Sequence, residues 1–149
     1  MITPEQVKND PAIRSYIQKA DACLSALGYT EHSFAHVGRV ASEAKRILLA
    51  LGKGQRQAEL AEIAGYLHDI GNLVNRIDHS QSGAVMAFRI LDHMHLPAQE
   101  IAEIVTAIGL LMFFSSLGVN KGLTTMLLAH ITFCTPYVIT SVYPKVRSL

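Results

Sequence analysis

The sequence predicts an all-α protein, a helical bundle in a single domain spanning residues 1–149. Two observations carry this reading. Apolar residues recur at three- and four-residue spacings as far as Ile108, and the pairs Thr3-Pro4 and Asp10-Pro11 are helix-start signals. Strand-like alternation is weak over the same span.

Taken in order, Thr3, Pro4 and Glu5 read as an N-cap, a proline at the first helical position and a first-turn acid. Asp10-Pro11 repeats the signal. The stretch 12–27 places Ile13, Tyr16, Ile17, Ala20, Leu24 and Leu27 on one stripe, and Gly28 closes it. Ser33 caps the next helix, whose apolar face runs Val37, Val40, Ala41, Ala44, Ile47, Leu48 and Leu51 before Gly52 and Gly54. A third helix is expected over 57–70 with Leu60, Ile63, Ala64 and Leu67 inward, stopped by Gly71. A fourth carries Ala84, Ala87, Phe88 and Leu91, and Leu96-Pro97 separates it from a fifth that ends at Ile108. Five helices joined by short polar turns make a bundle.

Bulk composition narrows the function. Half of the 149 residues are hydrophobic, as a globular chain requires. A formal net charge of +1 gives no electrostatic case for a nucleic-acid partner. Cys23 and Cys134 lie far apart in no metal-binding pattern, and the N-terminus lacks the apolar core of a signal peptide. Reduced thiols in the cytoplasm are therefore expected.

Charge is unevenly distributed. Residues 1–103 hold 10 Lys/Arg and all 12 Asp/Glu, whereas residues 104–149 hold 3 Lys/Arg and no acid. The 17 uncharged residues 104–120 fall short of the ~20 that span a bilayer. A buried terminal helix pair is expected there instead of a membrane segment, and a homodimer through this apolar tail stays open.

The chemistry centres on "YLHDIGN", residues 66–72. His68 points inward with the apolar stripe, and Asp69 follows about 100° further round the last turn. Two readings are open. One is a core histidine satisfied by Asp69 or a backbone carbonyl. The other is a metal site, because His36 and His79 also stand near helix ends that a bundle can gather at one point. Imidazole and carboxylate together suit Mn, Fe, Co, Ni, Zn or Mg. Such an ion acidifies a water it binds and neutralises phosphate oxygens. Arg39 and Arg76 are the basic residues nearest in sequence to these ligands, as phosphate binders or as solvated surface.

"AHVGRVA" with His36, "AGYLHDIGN" with His68 and Asp69, and "DHSQSGAVMAFRIL" with His79 resemble the HD-domain superfamily of metal-dependent phosphohydrolases over residues 30–108. The resemblance implies a helical bundle of the HD type that hydrolyses a nucleotide or related small phosphate ester. His36, His68 and Asp69 would hold the first divalent ion, and His79 would join a second that Asp69 bridges. Asp69 and His68 would serve the reaction, Asp69 by steering the attacking water.

The tail, 109–149, departs from the family. Leu110 and Leu111 stand where Asn-His is expected, and no aspartate follows Asp92. "MLLAH" offers His130 where the family's distant aspartate would fall, as a nitrogen ligand or a structural histidine. Either this third has diverged or the reading frame changes near Gly109. With ligands missing, the alternative function is a non-catalytic HD-type module that binds a nucleotide or a protein.

Overall fold

The computed structural model describes residues 1–29 and 34–116, and within these every regular element is helical. The six α-helices are α1 (Pro4–Asn9), α2 (Pro11–Ala26), α3 (Phe34–Ala50), α4 (Gln55–Leu67), α5 (His79–His93) and α6 (Ala98–Ser116). A short 3-10 turn, Ile70–Leu73, lies between α4 and α5. The chain divides into two compact units, 1–112 and 113–149, and apart from the last turn of α6 the features below belong to the first. His32, Ser33, His130, Cys134 and the tail from 117 lie outside the described residues.

Both start signals act as read. The Thr3 hydroxyl accepts from Gln6 N, and the Gln6 side chain accepts from Thr3 N, a reciprocal capping box. Asp10 Oδ1 accepts from Ala12 N and Ile13 N at the head of α2. Because Asp10 also ends α1, the segment before the 12–27 run is a helix of its own, which makes six among the described residues in place of five. At the other end of α2, Tyr29 N reaches back to Leu24 O at 3.0 Å, with Gly28 at φ +81. Gly52 closes α3 in the same way, at φ +71 with Lys53 N on Leu48 O. These are the left-handed closures that glycine makes at little cost.

α4 is the central helix. Leu60, Ile63, Ala64 and Leu67 are buried as expected, but so are Ala58, Glu62, Gly65 and Tyr66 from its other faces. It packs most extensively on α3, while the 3-10 turn packs on α5 and α2. The α3–α4 approach is set by Gly65, where a Cβ would sit 2.9 Å from Ala41 Cα and 3.1 Å from Val40 O. Ile13, Leu67, Ile70, Leu91, Ile104 and Ile108 fill the core.

Several expected core positions are on the surface: Phe88 is 53% exposed, and Tyr16, Leu27, Ile47 and Leu51 are exposed too. Two crossed helices touch over only a few turns. The α3 stripe is therefore buried at Val37 and Ala41, beside Gly65, and emerges further on. α6 also runs past Ile108 to Ser116.

Buried Glu62 ties three helices together. Its Oε1 accepts from Lys8 Nζ of α1 at 2.5 Å. Lys45 Nζ of α3 stands 2.8 Å from Oε2, close in charge but off the hydrogen-bond axis. Arg56 forks onto Glu100 of α6 and donates to Ile2 O, fastening the start of α4 to α6 and the N-terminus. Burial works against ionisation of Glu62, but the Lys45 and Lys8 ammonium groups outweigh it and hold its carboxyl below the ordinary 4.5. Arg56 does the same for Glu100.

A carboxyl lowered by folding contributes stability above its unfolded value and loses it as pH falls through the folded one. The urea midpoint is therefore expected to hold from pH 7 to about 5 and to fall steeply below 4.5 in the native chain. Glu62→Gln should flatten that acid limb. An acid limb of equal slope in Glu62→Gln would remove Glu62 from this role.

Candidate metal centre

The expected third helix, 57–70, breaks early. α4 stops at Leu67, His68 is its last αR residue, and Asp69 adopts φ −99, ψ 0. This is the sparsely populated bridge region where active-site residues are often found. In a continuous helix the side chains of neighbours diverge by about 100°. Leaving the helix between them turns both inward, and His68 Nε2 comes 3.2 Å from Asp69 Oδ2.

Two further elements deliver ligands. α3 presents His36, whose Nε2 is 3.4 Å from His68 Nε2 and 3.4 Å from Asp69 Oδ2. α5 opens on His79, whose Nε2 is 3.4 Å from the other oxygen, Asp69 Oδ1. One carboxylate thus separates two groups of imidazoles, His36 with His68 on Oδ2 and His79 on Oδ1. Donor atoms of His36, His68 and Asp69 all lie within 4.8 Å of one another.

These spacings fit a divalent ion. Ligands about 2.0–2.2 Å from a four- or six-coordinate metal stand roughly 2.8–3.6 Å apart. Ring orientation agrees. His68 Nδ1 donates to Gly65 O at 2.7 Å and His79 Nδ1 donates to Arg76 O at 2.9 Å. A carbonyl only accepts, so in the neutral ring the proton sits on Nδ1 and Nε2 carries the lone pair a metal needs. Two such nitrogens facing one carboxylate edge suit a cation better than a self-contained hydrogen-bond pair. Exposure grades from 10% at the Asp69 side chain and 12% at His68 to 34% at His36, so the site is sunk but reachable from solvent.

Glycine makes the assembly possible on the α5 side. A Cβ on Gly71 would overlap the His79 carbonyl and Gly83 N, so the 3-10 turn and α5 meet backbone to backbone. Gly71 and Gly83 are packing residues and build no phosphate loop.

Asp78 starts α5 at φ +61 without a side-chain cap bond, and the Arg76 carbonyl holds the His79 ring. Arg76 is half-buried, with Nη1 on Asn72 Oδ1 at 3.1 Å and its guanidinium 4.8 Å from the centre of the Tyr29 ring. Arg39 lies one turn beyond His36 and is exposed. His93 and His95 are exposed, as solvated residues should be. Sequence reasoning missed Asn72, whose Nδ2 donates to Asp69 O at 3.0 Å and Oδ1 at 3.2 Å. The available signal was a polar residue three positions after Asp69 in a turn otherwise buried.

Residues 33–116 match the family model described as the HD domain. Partial likenesses also exist to the spermidine/putrescine transport system permease protein PotC. That of Escherichia coli K12 is 44% identical over 45 residues, 30% of this chain and 17% of that protein. That of Haemophilus influenzae is 35% identical over 90 residues, 60% of this chain and 32% of that protein. The chain thus spans a third or less of the length of these curated relatives. No solved structure matches it. Among the described residues, no helix is long and apolar enough to cross a membrane.

Proposed function

From the premise that the chain belongs to the HD-domain family, we propose that it is a metal-dependent phosphohydrolase acting in the cytoplasm on a nucleotide or related small phosphate ester. The observation that carries this reading is the convergence of His36 from α3 with His68 and Asp69 at the end of α4 at metal-ligand spacing. These three residues would hold the divalent ion, which when bound supplies charge neutralisation and a more acidic water. Asp69, shared between Oδ2 and Oδ1 neighbours, orients the attacking water and takes its proton. His79 stands on the Oδ1 side for a second ion or the substrate. Arg76, and Arg39 further out, supply positive charge for phosphate oxygens.

Metal analysis of the purified chain, followed by phosphatase assays across nucleotides with Mn, Co or Ni, tests this. The expected result is bound metal that His68→Ala loses, together with turnover above buffer. Absence of both would leave the second reading, a binding module of HD type. That reading is favoured by the missing aspartate after Asp92 and by Leu110-Leu111 in place of Asn-His.

The permease likeness bears on the tail. The 45-residue likeness is short enough to fall within the 46 residues of the acid-free stretch 104–149, whereas the 90-residue likeness extends beyond it. A frame change gives no reason for such a likeness, so a tail acquired from a membrane protein is the better account. In that case it provides an apolar surface for a membrane or a second copy, which sedimentation with and without detergent separates. An Asn-His and a later Leu-Ala-Asp in another frame past Ile108 would restore the frame-change account.

A further inference from the structure

Asn72 is 4% exposed and bonds in two directions. Its amide N–H groups hold the main-chain and side-chain oxygens of Asp69, and its carbonyl oxygen holds Arg76 Nη1. The Arg76 guanidinium carbon lies over the Tyr29 ring, 4.8 Å from its centre. The Arg76 main chain, in turn, holds His79.

We propose that Asn72 is a positioning residue that sets the distance between the ion-binding carboxylate of Asp69 and an anion-binding guanidinium at Arg76, with Tyr29 fixing the plane of that guanidinium. The inference rests on the phosphohydrolase reading and specifies its substrate as a phosphomonoester. An amide is suited to this task because it donates to a carboxylate and accepts from a guanidinium at the same time; neither a carboxylate nor an ammonium can do both. Bound on one edge by Asn72, a planar fork keeps its remaining N–H groups in one plane, ready for two oxygens of a terminal phosphate. Contact with the Tyr29 ring restricts the rotation that would otherwise spread those donors over many directions. A phosphodiester, with one charge and a second substituent, offers such a fork less than a monoester dianion does.

Two titrations of the whole chain test this. Mn2+ binding is followed by electron paramagnetic resonance without substrate, and inorganic phosphate binding to the Mn-loaded protein by calorimetry. Asn72→Ala should weaken Mn2+ by about 10-fold, the lower end for loss of a ligand's outer partner, and should weaken phosphate as well. Arg76→Ala should leave Mn2+ affinity within about twofold and weaken phosphate at least about 10-fold, the scale of one charge-assisted hydrogen bond. In the double variant, phosphate affinity should fall no further than in Arg76→Ala, because Asn72 acts through that residue once the ion is saturated. Tyr29→Leu should weaken phosphate alone.

Unchanged Mn2+ affinity in Asn72→Ala overturns the tie to Asp69, and additive losses overturn the tie to Arg76. Should Asn72→Ala not fold, unchanged phosphate affinity in Arg76→Ala and Tyr29→Leu overturns the proposal. A native chain that binds no Mn2+ at all would instead refute the parent reading.

Discussion

Asp69→Ala is expected to purify without bound metal and without phosphatase activity. Its Oδ2 faces both His36 and His68, and its Oδ1 faces His79, so this one carboxylate touches all three imidazoles. Removing it leaves neutral nitrogens alone to attract a dication. The loss of affinity should exceed the ~10–100-fold that follows loss of an outer hydrogen-bond partner. Asp69→Asn is the informative companion, since it keeps the shape and an acceptor for Asn72 but discards the negative charge. Both variants should melt close to the metal-free native chain, because the change sits at the rim of the core. Mn2+ titration and elemental analysis check this, and wild-type stoichiometry in Asp69→Ala would defeat the proposed centre.

The second large effect is on folding. Gly71→Ala should destabilise the chain by roughly 3–5 kcal/mol, at the severe end for a single substitution. The added methyl meets the backbone of His79 and Gly83, which cannot step aside as a flexible side chain would. For a unit of about this size that corresponds to a melting point roughly 10–20 °C lower. Gly28→Ala, at an open position with φ +81, is the contrast: it meets nothing within 4 Å and should cost only about 1 kcal/mol of backbone strain. Thermal melts of the two variants side by side check the ordering, and a Gly71→Ala melt within a few degrees of native would refute the close-approach argument.

Local chemistry made the fold legible. Thr3, Asp10, Gly28 and Gly52 act through bonds spanning five residues or fewer, so their neighbours in sequence sufficed to read them. The histidines and Asp69 were legible because their type and helix-end placement are uncommon among apolar stretches. Features that depend on what lies across the bundle were not. The burial of Glu62 follows from lysines 54 positions before it and 17 before it, and nothing in its own helix announces them. Exposure of Phe88 and Ile47 depends on where helices cross. The early end of α4 comes from the docking of its 3-10 turn on α5, and the periodic pattern through Ile70 conceals it. The bonds of Asn72 span only three and four residues, but they form in the 3-10 turn that the periodic pattern through Ile70 hides, so Asn72 was hidden with it.

At Gly65, α3 and α4 touch main chain to main chain, with no side chain interposed. Genetic repair there is correspondingly narrow. An enlarged residue in an ordinary core can be accommodated by trimming a neighbour, but at this crossing the obstacle is Ala41 Cα and Val40 O, which every amino acid possesses. A selection for suppressors of Gly65→Val would then return true revertants, or changes that tilt a whole helix and draw His36 away from its partners.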